Sequence, residues 1–221
     1  MKHLKKRLST VPAIVGMTLL ASSFLALAQE EPEPFLAGGH YELLDEVQPV
    51  QTGEKIEVVE LFWYRCPHCF ALEPFIVEWK KTIPDNAQYV PIPALLSQRW
   101  EFGAKAYYTF EALGLVEQLH GKFFTAIHID RRKLETVEAL ANWAEENGAD
   151  RQAIIDTFES FAVANKLNFS SVMSRKYGIT GVPAIVVDGR YRTTVSMAGS
   201  QAKLIDVINF LIDKAAKEKT G

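Results

Sequence analysis

The sequence predicts an α/β fold: a mixed central sheet flanked by helices, with an all-helical subdomain inserted into it. Three observations predict this. Residues 56–63 and 88–94 read as strands on either side of a helical stretch. Residues 97–164 then show only helical periodicity, and residues 183–195 return to a strand–turn–strand pattern. The division that follows is a leader at 29–40, a sheet-forming part at 41–96, the helical insertion at 97–164 and a second sheet-forming part at 165–221.

The elements follow in order. Lys2, Lys5, Lys6 and Arg7 precede an uncharged apolar run at 11–27, which ends in Ala26-Leu27-Ala28. A basic start, a short apolar stretch and a small-x-small ending are the marks of a cleaved export signal, placed at residues 1–28. Pro12 and Gly16 interrupt the run, and it falls short of a comfortable membrane span. Residues 29–40, rich in Glu, Pro and Gly, read as a loose leader, and 41–50 as a short edge strand. Residues 56–63 are dense in apolar, β-branched and aromatic side chains, as in a strand buried on both faces. Phe70, Leu72, Phe75, Ile76 and Trp79 then recur at helical spacing, with Pro74 expected to kink the helix. Pro91 and Pro93 assign the strand at 88–94 to a sheet edge, because proline cannot donate to a ladder.

Within the insertion, helices are expected at 102–114, 116–129, 136–147 and 150–161, punctuated by Gly114, Gly121 and Gly148, with Thr136 as a cap. A further helix is expected at 165–177. Asp188-Gly189 is a hairpin turn between strands at 183–187 and 191–195, and an amphipathic helix at 200–217 closes the chain.

The composition narrows the function. The 221 residues are 48% hydrophobic and 23% charged, ordinary values for a folded globular chain. Residues 1–28 hold four basic and no acidic residues. The remainder carries 20 Lys and Arg against 27 Asp and Glu, a formal charge of −7, with no basic patch for nucleic acid. There are only two cysteines, three positions apart. Two thiols cannot complete a four-cysteine zinc site. His40, His120 and His128 have no spacing that suggests a metal either, and read as structural or surface residues. A disulfide across so short a gap restrains the unfolded chain little, so a structural staple explains the pair poorly. Redox chemistry explains it better.

The pair stands in Cys66-Pro67-His68-Cys69, where a strand leads into a helix. Pro67 suits the first helical position, which leaves Cys66 at the helix start. Free N–H groups and the positive end of the helix dipole favour a thiolate there. The thiolate is the species that attacks and leaves in disulfide exchange. Cys69 lies one turn on, on the same face. His68 can favour the thiolate through a ring N–H or a positive charge, or it can be a solvated side chain beside the site. Favouring the thiolate favours the dithiol form, and so makes the disulfide more oxidising. Arg65 adds a charge of the same sign. Glu60 sits inside the apolar run six residues before Cys66, costly if buried and charged, or else reaching solvent at the strand end. Glu73 reads as a solvated helix residue.

The strand–Cys-x-x-Cys–helix arrangement resembles the thioredoxin superfamily. Cys66-Pro67-His68-Cys69 with a helical insertion, an export signal and Gly181-Val182-Pro183-Ala184 at the expected distance resembles the DsbA-like thiol:disulfide oxidoreductases. The resemblance covers nearly all of the chain after residue 28. It implies a thioredoxin fold and a periplasmic interchange protein that gives its Cys66–Cys69 disulfide to newly exported cysteine-containing proteins through a mixed disulfide. It implies a DsbB-type membrane reoxidase as second partner, no metal or organic cofactor, and a monomer. It implies that Pro183 follows a cis bond and lies against Cys66, with the Val182 backbone and Pro183 receiving substrate; the residues alone leave cis and trans open. It implies that Glu60 lies beneath the cysteines and relays protons, although no lysine between Lys81 and Arg99 is available to pair with it. An apolar groove beside the motif is expected to hold unfolded substrates. The alternatives are an isomerase or reductant using the same residues, and a non-catalytic binding module.

Overall fold

The computed structural model describes residues 33–220, so the signal placed at 1–28 lies outside the described residues. One mixed sheet of five strands forms the centre, in the order β1-β5-β4-β2-β3. β2 (Ile56–Phe62) is buried at every position. It pairs in parallel with β3 (Ala87–Pro93) and antiparallel with β4 (Ala184–Val187). Burial on both faces is what its continuous apolar run requires. β3 lies at the edge, where Pro91 and Pro93 break no ladder.

β4 and β5 (Tyr191–Thr194) form the expected hairpin. Its turn is set by Asp188 and Gly189, with φ of 53° and 62°. Gly189 is required twice over, since a Cβ there would also lie 2.1 Å from the carbonyl oxygen of Gln48. The expected strand at 41–50 shrinks to β1 (Glu42–Leu43), paired with β5. Beyond Leu44 the chain meets the Asp188-Gly189 turn instead, through a bond from the Gln48 N–H to the Gly189 carbonyl. The described part of the expected leader is not loose. Phe35 is buried, with its ring against His40 and Phe210.

Helix α1 (Pro67–Trp79) follows β2 and continues through Pro74. A turn of 3₁₀ helix at Gln98–Trp100 opens the helical block. The block holds α2 (Glu101–Ala112), α3 (Val116–His128), α4 (Val137–Glu146) and α5 (Arg151–Phe158). Thr136 caps α4 as expected, accepting from the Ala139 N–H at 3.2 Å. α6 (Phe161–Lys176) starts four residues before the expected position. Ser160 caps it, and Phe161 is 80% exposed, so its first turn shows no core-facing periodicity. Val195 does not extend β5. Thr194 caps a single turn, α7 (Val195–Ala198), which leads to α8 (Gln201–Thr220).

The buried side chains form three clusters. One joins Phe62, Tyr64 and both cysteines to the aromatic interior of α2–α5. A second packs α1 and α8 on one face of the sheet, and a third packs Met173, Tyr177 and Ile179 on the other. Both cysteines therefore sit at a seam between sheet and helical block.

Candidate active site

Strand β2 delivers the chain to Cys66, and Pro67 begins α1. Cys66 is the N-cap, and the Cys69 N–H donates to its Sγ at 3.4 Å. The Cys66 thiol in turn points at the Val182 carbonyl oxygen, 3.4 Å away. The Val182–Pro183 bond is cis and Pro183 is buried, so this loop is the wall facing the sulfur. The two sulfurs are unbonded.

Their environments differ sharply. The Cys66 thiol is lowered from an ordinary 9.0 to about 6, chiefly by a hydrogen bond from the Cys69 thiol. Burial opposes this, and the N–H groups of Cys69 and His68 support it. Cys69 is buried, and that burial, with the facing Cys66 sulfur, pushes its thiol far up. One sulfur is thus poised as an anion and the other held as a donor to it.

The side chains flanking the cysteines count for less than the backbone. The His68 ring is exposed and contributes the least of the named causes, less than its own backbone N–H. Arg65 is exposed and ion-paired with Glu135, so solvent screens its charge.

Glu60 is 3% exposed, which removes the reading of a glutamate at a solvated strand end. Burial pushes its carboxyl from 4.5 up to about 8, against the lowering effect of a hydrogen bond from the Tyr89 hydroxyl at 2.5 Å. Its charge is within electrostatic reach of Cys69. The partner sought among lysines is therefore a tyrosine, with Lys80 contributing more weakly. Tyr89 stands two residues from Pro91, the position paired with Glu60 on the neighbouring strand. Two residues along a strand is the same face, so a long polar side chain there was the available signal.

A second polar link went unread. Glu73 is 14% exposed at its side chain, not solvated, and faces His120 Nε2 at 3.5 Å. The other ring nitrogen of His120 meets the Tyr64 hydroxyl at 2.7 Å, and His128 Nε2 donates to the Tyr64 carbonyl at 2.8 Å. Two histidines of α3 thus fix the residue two before Cys66. Two hollows adjoin the motif, one at Tyr64 and Arg65 and one at His68, Val182 and Pro183. The hollow next to Val182 and Pro183, about 640 Å³, is mixed: Ile179, Val195 and Met197 line it together with Thr180, Thr194, Ser196 and the Glu42–Arg192 pair. Thr194, whose hydroxyl caps α7, is one of its polar side chains.

The family model for a DSBA-like thioredoxin domain matches residues 79–208. A thiol:disulfide interchange protein DsbA of Pseudomonas aeruginosa is 36% identical over 201 residues, spanning 91% of this chain and 94% of that protein. The chain belongs to the DsbA family of thiol:disulfide oxidoreductases. A DsbA of Burkholderia cepacia is 32% identical across 98% of this chain and all of its own. The crystal structure of Pseudomonas aeruginosa DsbA superposes with a TM-score of 0.81 at 35% identity, covering 85% of this chain and 97% of that one. The expected thioredoxin fold with a helical insertion is therefore the fold of this DsbA-family chain. The family match starts after the cysteine motif, so the reading of its residues rests on the geometry above.

Proposed function

We propose that this protein is an oxidase of exported polypeptides: it gives a Cys66–Cys69 disulfide to substrate dithiols in the periplasm. The observation that carries the reading is the position of Cys66 Sγ, at the start of α1 and 3.4 Å from the Val182 carbonyl. A substrate thiolate attacks Cys66 Sγ. A substrate–Cys66 bond forms, the Cys66–Cys69 bond breaks, and the electron pair passes to the Cys69 sulfur, which takes a proton. Glu60, protonated at neutral pH because its carboxyl sits at about 8, is the nearby carboxyl that can give it. A second substrate thiolate then attacks the substrate sulfur of the mixed disulfide, and Cys66 leaves as the thiolate. The substrate loses two electrons and two protons. The protein keeps both electrons and, at neutral pH, one proton, on Cys69.

The sulfur that leaves best is the one lowered to about 6, so release of the oxidised substrate is favoured at Cys66. The Val182 backbone and Pro183 form the wall against which an extended substrate lies, and the peptide groups beside Cys66 can pair with it. Pro67 starts the helix that holds the anion, and His68 supplies an N–H to it. A membrane reoxidase of the DsbB type would restore the disulfide, with the chain acting as a monomer and no metal or organic cofactor. The test is equilibration with glutathione at neutral pH. An oxidase is mostly reduced at moderate glutathione levels; a couple that stays oxidised there is a reductant, and the proposal fails. Cys66→Ser must abolish activity; retained activity would indicate a non-catalytic binding module.

A further inference from the structure

A separate hollow of about 370 Å³ opens beside the motif and shares no residue with the one at Val182 and Pro183. Its size lies within the range of ligand pockets. Trp63, Phe102, Phe123, Ile127 and Leu134 give it apolar walls. Trp63 is held flat against Trp100, with ring centres 4.6 Å apart and planes 2° from parallel. Gly103 lies at its border, where a side chain would take up part of the space.

Its rim has the opposite character. Arg65, Arg99 and Arg132 line it and are exposed, with Glu135 the sole acid among the lining residues. Three guanidinium groups stand together in a chain that carries −7 beyond residue 28. Arg65 is paired with Glu135 and Arg132 with Glu146, both exposed pairs that an incoming carboxylate can exchange with. The Arg99 guanidinium has no ion pair or hydrogen bond among the described residues. The pocket also begins next to the chemistry. Tyr64 and Arg65 line it and immediately precede Cys66, and two residues of chain span at most about 7 Å.

From this we infer that the pocket is a specificity subsite for the polypeptide whose cysteine engages Cys66, accepting an apolar or aromatic side chain next to an Asp or Glu. This rests on the oxidase reading above, which supplies a polypeptide at Cys66. The apolar side chain enters between Trp63 and Leu134, and the carboxylate meets Arg99 and Arg65 at the rim. The arginine fork suits a carboxylate, and the neighbouring indole suits an aromatic ring.

The test uses the oxidised full protein and three two-cysteine peptides that differ only beside the first cysteine: Phe-Asp, Phe-Lys and Gly-Asp. The rate of peptide disulfide formation is followed by mass spectrometry. Phe-Asp should react about fivefold faster than Phe-Lys at low salt, with the ratio shrinking as salt rises. Gly-Asp should fall below Phe-Asp. Arg99→Glu, an exposed and unpaired position, should invert the Asp-to-Lys ratio, and a ratio within one variant is independent of its overall rate. Equal rates for Phe-Asp and Phe-Lys, or an unchanged ratio in Arg99→Glu, would overturn the subsite while leaving the oxidase reading intact. No reaction with any peptide would overturn both.

Discussion

Replacing Cys69 by alanine separates the two sources of thiolate stabilisation at Cys66. In the reduced protein the thiol of Cys69 is the largest contributor, ahead of the N–H groups at the helix start. A hydrogen bond to a charged acceptor is worth about 1.5–3 kcal/mol, and one pKa unit about 1.4 kcal/mol. Losing it should move Cys66 up by about 1–2 units, from about 6 to between about 7 and 8. At pH 7 the thiolate fraction would fall from about nine-tenths to between about one-tenth and one-half. The backbone N–H bonds remain, so the thiol should not return to its ordinary 9.0. The assay is a pH titration of thiolate ultraviolet absorbance, run on reduced wild type and on Cys69→Ala. A variant midpoint unchanged at about 6 would show that the helix start alone holds the anion. A wild-type midpoint near 9 would remove the electrostatic basis of the whole site.

Four further outcomes follow from the same geometry. Cys66 is lowered in the folded state, so its contribution to the reduced protein is present above the unfolded value near 9 and lost as pH falls through about 6; the stability of the reduced form relative to the disulfide form should rise across that window by about 2 kcal/mol, half the unscreened 4, as read by urea unfolding of both forms. Glu60 has the opposite sign: its raised carboxyl leaves the folded state progressively less stable from pH 4.5 to about 8. Glu60→Gln should therefore match wild type at pH 4 and exceed it at pH 8, by at most about 5 kcal/mol, and equal stabilities at pH 8 would refute a buried carboxyl; Tyr89→Phe, which removes a bond that lowers Glu60, should shift the pH dependence of disulfide transfer upward, and Glu60→Gln should abolish it. Gly189→Ala should cost about 2–4 kcal/mol in unfolding, since it adds a Cβ against the Gln48 carbonyl at positive φ, and a cost below 1 kcal/mol would refute the tight turn.

The sheet and the helical block were legible because their signals are local. A continuous apolar run means a strand buried on both faces, and Asp188-Gly189 between two β-branched runs means a hairpin. The elements misread were those set by tertiary partners. β1 is two residues long because Gln48 bonds to Gly189 rather than to a strand. α6 is the other kind of miss: Ser160 caps it, and the exposed Phe161 gives its first turn no core-facing signal. The same division holds at the site. Cys66, Cys69 and their helix start follow from adjacent residues. Arg65 pairs with Glu135, 70 positions away, and Glu73 with His120, 47 positions away, distances at which no periodicity speaks. Tyr89 was the intermediate case: its partnership with Glu60 could be read once β2 and β3 were paired in parallel register, and not before.

The seam between sheet and helical block explains how two sulfurs three residues apart acquire opposite chemistry. α1 begins at Cys66, so that sulfur receives unpaired N–H groups and faces the Val182 loop. One turn later the same helix has entered the packing between β2 and the helical block, and Cys69 is 1% exposed. A single helix therefore carries its first cysteine in a field of donors and its second in an apolar interior, with the buried Glu60 within electrostatic reach of it. The insertion is part of this arrangement, not an ornament on it: His120 and His128 of α3 grip Tyr64 from the side chain and the backbone, which fixes the strand exit that aims Cys66. Loss of that grip should loosen the sulfur's alignment with the N–H groups while leaving Cys69 buried. On this reasoning the helical block acts on Cys66 through position, and the proposed role of Glu60 toward Cys69 is that of a neutral acid holding a proton.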